Sequence, residues 1–201
     1  MPPKAKFTRE QIIQAAVDVT REQGISAVTA REVGRQLGTS STPVFVAFEN
    51  MEDLKNEVFN EVEKQYSAFI EEGLNYTPMF KAFGLRMIEY AKEYPNLFKV
   101  LFMNSIESNM NYDDMILNFP SADICLKAIK EQTSLNDNEV ELLFKQVLVT
   151  GLGICYLVSS KTCEFTEEQL NEYLGLSYIG SLTAIKNLDK SKYTVHPTRK
   201  D

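Results

Sequence analysis

The stretch Val28–Phe48, VTAREVGRQLGTSSTPVFVAF, limits the possible folds of this chain more than any other. Thr29 is followed three residues later by Glu32, a capping-box pattern in which side chain and backbone amide satisfy each other at a helix start. Val33 and Leu37 lie four apart on one face of the helix that follows. Gly38 comes directly after the last apolar position and supplies the left-handed residue that stops a helix. Ser40 and Ser41 offer hydroxyls to cap a second helix. Pro43 falls in its first turn, where a missing amide costs little, and Val44, Phe45 and Phe48 give it an apolar edge. Two short helices joined by a glycine-bearing turn make a helix-turn-helix, whose second helix enters the DNA major groove.

The rest of the chain keeps a helical period. Thr8 to Gln11 forms a capping box ahead of Ile12, Ala15, Ala16 and Val19, and Gly24 ends that helix. Asn50 is placed to cap a long helix to about residue 74, with Leu54, Val58, Val62 and Phe69 inside. Thr77 and Pro78 open another helix, which Pro95 breaks because the residue before proline disfavours helical geometry. Leu97 to Met103 reads as a short apolar helix, and residues 104–118 as a loop with at most one helical turn. Residues 119–132 read as a further helix. Asn136 with Glu139 caps a long helix to Ser160, and Thr166 to Gln169 opens a last one ending near residue 188. No strand-like alternation occurs, so the fold class is all-α with about nine helices.

FTREQIIQAAVDVTREQG, then VTAREVGRQLGTSSTPVFVAF, then ENMEDLKNEV resembles the N-terminal domain of TetR/AcrR-family transcriptional repressors. The likeness is strong over the first sixty residues or so and continues only in helix character. It implies a helix-turn-helix domain over residues 1–50, a larger helical domain for ligand binding and dimerisation over 51–190, and a polar tail over 191–201. It also implies a homodimer that binds a double-stranded operator and is released by a small hydrophobic effector.

Net charge is −7, from 21 basic and 28 acidic residues. Residues 1–50, however, hold six basic against five acidic side chains, so the acid lies in the remainder. A local cationic surface suffices to engage phosphates while an acidic body orients the docking. The expected DNA contacts are Lys4 and Lys6 on a basic arm, Thr8 and Arg9 at the first helix, and Thr29, Arg31 and Arg35 on the second. Ser40, Ser41 and Thr42 at the start of the third offer phosphate or base-edge contacts, and Val46 and Ala47 suit thymine methyl groups.

Enzymatic readings fail for lack of parts. The chain has no glycine-rich phosphate loop and no Ser/His pairing, and His196 is its single histidine. Cys125, Cys155 and Cys163 form no C-x-x-C pair, so neither a metal site nor a cofactor is expected, and reduced structural thiols are. MPPKAKFTRE has no hydrophobic signal core and no apolar run reaches bilayer length, which points to the cytoplasm without a membrane partner.

Phe83, Met87, Tyr90, Phe102 and Met115 are the expected lining of an effector pocket, since bundles hold small molecules between helices and methionine adapts to irregular shapes. With no basic residue on these apolar faces, the ligand is expected to be neutral or cationic. Gly151, Gly153, Gly175 and Gly180 sit on the two helices that resemble the family's dimerisation pair, with packing inside one subunit as the competing role. The chain also departs from the family pattern. Phe45, Val46 and Ala47 stand where tyrosine and a basic or polar residue are common, and Met51 stands in place of a lysine. A ligand-sensing or protein-interaction module that no longer reads DNA is therefore the alternative.

Overall fold

A computed structural model describes residues 7–73, 79–103 and 111–187, whose regular structure is entirely helical. The α-helices are α1 (Arg9–Gln23), α2 (Ala30–Gln36), α3 (Thr42–Ala47), α4 (Met51–Gly73), α5 (Met79–Glu93), α6 (Pro95–Phe102), α7 (Tyr112–Leu117), α8 (Ala122–Gln132), α9 (Asp137–Ser159) and α10 (Glu167–Asn187). A short 3₁₀ turn, Ile25–Ala27, joins α1 to α2. Tyr112–Leu117 is six residues of helix where at most one turn was expected, because Asn111 caps it by accepting from the Asp114 amide.

Helix α1 begins with the expected box, Thr8 and Gln11 bonding each other's backbone amides. It ends at Gly24, whose φ of +87° is cheap only for glycine and whose N–H reaches the Thr20 carbonyl. Ile12, Ala16 and Val19 are buried and pack with Val28, Val33, Val44 and Phe48 of the helix-turn-helix. Leu54, Val58, Val62, Tyr66 and Ile70 form a fully buried stripe along α4. The hydrophobic core therefore continues past residue 50, and α4 serves the N-terminal helices and the body alike.

Two side-chain clamps fix the ends of α4. At its start, Arg9 donates from Nη1 to the Ala47 carbonyl (2.8 Å) and from Nη2 to Glu57 (2.9 Å), and its guanidinium lies 4.1 Å over the Phe48 ring. At its far end, Arg86 of α5 donates to the Phe69 carbonyl (2.7 and 3.2 Å), stacks 3.6 Å over the Phe69 ring and pairs with Glu89. Between these clamps Asn96 of α6 donates to the Arg21 carbonyl at 3.1 Å, joining the body to the end of α1.

The body packs α5, α6, α8 and α10 around α9. Among the described residues α9 is the one helix long and apolar enough to cross a membrane. Its Leu143, Phe144, Val147 and Leu148 are buried within the subunit. Lys145 ties α9 to α7 through Asp113 at 2.7 Å and also pairs with Glu141. Tyr66, Tyr90 and Phe102 form an edge-to-face cluster with centroids 5.1 and 5.2 Å apart, and Phe119 stacks on Phe102 at 4.8 Å. Burial pushes the Cys125 and Cys155 thiols well above their ordinary range, as structural cysteine requires, while Cys163 is exposed.

Candidate nucleic-acid interface and internal cavity

The turn between α2 and α3 is built on two glycines. Gly38, at φ +66°, reverses the chain after Leu37, and the Thr39 amide then bonds the Gly34 carbonyl at 2.8 Å. This return places the backbone directly against α2: a Cβ on Gly34 would stand 2.5 Å from the Ser40 oxygen and 2.7 Å from its carbon. Gly34 was not among the residues expected to matter. Its signal was present, since a glycine inside a helix costs about 1 kcal/mol against alanine and asks for a packing reason.

Helix α3 is held by Val44 and Phe48, four residues apart and both buried. The apolar edge expected to include Phe45 excludes it, because Phe45 lies about 100° round the helix from Val44 and turns outward. Phe45 is 62% and Val46 74% exposed. Ser41 stands at the N-cap without a side-chain cap bond; instead Ser40 Oγ accepts from the Thr42 amide at 3.4 Å. Thr42 and Ser40 are exposed, and Ser41 and Ala47 half-buried. One side of this short helix therefore offers hydroxyls and apolar groups with no charge.

The surrounding cations have unequal freedom. Arg31 is exposed and makes no hydrogen bond or ion pair among the described residues. Arg35 is held by Glu32 through Nη2 (2.5 Å) and Nε (2.8 Å), and Gln23 also donates to that carboxylate at 3.0 Å. Glu32 is consequently occupied, and only the Thr29 half of the expected capping box forms, at 3.2 Å. Arg9 is engaged in its clamp on α4, and Thr8 is the exposed N-cap of α1. Lys4 and Lys6 lie outside the described residues.

The Arg35 hydrogen bonds, then that from Gln23, hold the Glu32 carboxyl at about 2, against an ordinary 4.5. Folding depresses this pKa, so the stabilisation is complete above about pH 4.5 and fades as pH falls towards about 2. Urea melts should show the stability gap between wild type and Glu32→Gln shrinking through that window. A gap independent of pH would mean that this surface pair contributes nothing.

A cavity of about 180 Å³ lies between α5, α9 and α10. Phe83 and Met87 of α5, Phe144 and Leu148 of α9, and Leu174 and Tyr178 of α10 supply most of its wall, with Lys81 at its edge. Of the residues expected to line a pocket, Phe83 and Met87 are here. Tyr90 and Phe102 sit instead in the aromatic cluster, further along α5, where α4 and α6 cover them. The Met115 side chain lies outside the described residues. Lys81 was not foreseen, because the neighbours that make it a wall residue come from α10.

The outer faces of α9 and α10 carry a series of exposed apolar residues. Val149, Gly153 and Tyr156 follow one another along α9, and Tyr173, Leu176, Ile179 and Gly180 along α10. Leu176 and Ile179 are each 63% exposed. Large apolar side chains grouped on an exposed face favour association. The glycines divide between the two sides. Gly151 is buried, an added Cβ falling 2.6 Å from the Met87 methyl, so it serves α9 packing on α5. Gly153 and Gly180 face outward over open space, and Gly175 borders the cavity.

Residues 12–58 match the family model for bacterial regulatory proteins of the tetR family. No curated protein matches the sequence. Solved structures of proteins ascribed to that family share the fold. One from Haemophilus influenzae aligns at 16% identity and a TM-score of 0.58, over 85% of this chain and 94% of its own. Another, from Shewanella, aligns at 14% and 0.60, over 87% and 98%. A third, from Vibrio parahaemolyticus, aligns at 18% and 0.57, over 86% and 97%.

Proposed function

We propose that the chain, whose residues 12–58 match the model for the tetR family of bacterial regulatory proteins, is a homodimeric repressor of that family. It leaves its operator when a small hydrophobic molecule enters the cavity between α5, α9 and α10. The observation that carries this reading is α3 itself. It buries Val44 and Phe48 yet leaves Phe45 and Val46 in solvent, an apolar outlay that a helix recovers by lying in the major groove against thymine methyls. Arg31, Thr8 and the α3 hydroxyls supply the backbone contacts, and Arg35 joins them only by releasing Glu32. The outer faces of α9 and α10 pair two copies, so that two reading helices meet half-sites about 34–36 Å apart.

Selection of genomic fragments at low and moderate salt tests the proposal. An inverted repeat with that spacing should be enriched. In mobility shifts Arg31→Ala should weaken binding to it and lower the salt slope by about one. Unchanged affinity would remove Arg31 from the interface. Enrichment of no repeat at either salt would instead favour the module that senses a ligand without reading DNA.

A further inference from the structure

We propose that the molecule taken by the α5–α9–α10 cavity is a small hydrophobic carboxylate, with Lys81 as its counter-ion. This deepens, and rests on, the reading of that cavity as an effector site. Size sets the first limit. An apolar protein cavity of about 150 Å³ accepts a benzene ring. The 180 Å³ here therefore holds one aromatic ring or an alkyl chain of about six to eight carbons. Its wall is otherwise phenylalanine, methionine, leucine, valine and glycine, with Tyr178 and Ile179 from α10.

Charge sets the second limit. Lys81 is the one charged residue on the wall, is half-buried, and makes no hydrogen bond or ion pair among the described residues. Some other cations of the body are answered, Lys145 by Asp113 and Glu141, Lys130 by Asp137, and Arg86 by Glu89, and those that share the lack of a partner among the described residues, such as Lys92 and Lys127, are not on the cavity wall. No acidic residue occurs in the sequence between Glu72 and Glu89. An ammonium beside an apolar space repels a cation, gives a neutral guest little, and attracts an anion more strongly than it could in water. A carboxylate at the edge with its hydrocarbon inside meets both limits. The expected preference is thereby reversed from neutral or cationic to anionic.

Calorimetric titration of the full chain with hexanoate, 1-hexanol and hexylamine, and with benzoate and benzyl alcohol, tests this. Each acid should bind about tenfold more tightly than its alcohol, the worth of one charge-assisted hydrogen bond. Lys81→Gln should erase that difference and leave the alcohols unchanged. Gly175→Leu, at a position where an added Cβ meets nothing within 4 Å, should weaken every probe by filling the cavity from α10. Acid and alcohol binding equally, or the amine binding best, overturns the carboxylate while leaving an effector cavity. No binding by any probe overturns the effector reading as well, as it would if a side chain of the second copy closed the space.

Discussion

Replacing Gly34 with alanine is expected to disable the reading head while leaving the body helical. The new methyl would sit 2.5 Å from the Ser40 oxygen, and that oxygen is backbone, fixed by the Gly38 turn and the Thr39–Gly34 hydrogen bond. Nothing flexible can yield, unlike at Gly151, where the crowding atom is the end of the Met87 side chain. Against a fixed backbone atom the cost of overpacking lies at the upper end of its usual range, about 3 kcal/mol. For a chain of this size that lowers the melting temperature by roughly 6–12 °C. Thermal melts followed by circular dichroism, with operator mobility shifts, read both consequences. Gly38→Ala is a graded comparison, since it strains φ without a clash and should cost about 1 kcal/mol. Equal behaviour of Gly34→Ala and wild type in both assays would show that the turn does not pass where the structure places it.

The double substitution Leu176→Glu, Ile179→Glu is expected to produce a folded monomer. Both side chains are 63% exposed, and of the two only Ile179 also borders the cavity, so the isolated subunit loses little core contact and its helicity should stand. Pairing two such faces would bury unpaired carboxylates at several kcal/mol each, well beyond what a dimer interface tolerates. Sedimentation equilibrium at micromolar concentration should report the subunit mass of 22.9 kDa. Operator affinity should fall by about a hundredfold or more, because one reading head loses the effective concentration supplied by the other. A variant that remains dimeric would place the association surface elsewhere.

What could be foreseen from the residues divides by the range of the interaction. Caps at Thr8, Asn50, Asn136 and Thr166 depend on neighbours three positions away, so the pattern of residues predicts them and the helix boundaries follow. Glu32 has the same local pattern as those boxes and departs from it, because Arg35 and Gln23 compete for the carboxylate. The need for glycine at position 34 depends on where a turn returns several residues later. The cavity depends on α5, α9 and α10 meeting, elements separated by dozens of residues, so local periodicity picks out Phe83 and Met87 but also Tyr90 and Phe102, and misses Lys81. Phe45 shows the same limit at short range: positions 44, 45 and 48 span only about 100° of a helix, so local periodicity groups them, and only the packing of α3 on its neighbours leaves Phe45 62% exposed.

The two arginines at the ends of α4 make that helix a lever. Its 23 residues span about 34 Å, at about 1.5 Å per residue. Arg86 grips it at Phe69 from α5, beside Phe83 and Met87 on the cavity wall, and Arg9 grips it at the reading head. A tilt of only about 5° at the gripped end would carry the other end sideways by about 3 Å, close to one base-pair rise. In the proposed dimer, a guest in the cavity would then need no large rearrangement to put two paired reading heads out of step with the grooves; a few degrees of rotation of one stiff rod would be enough.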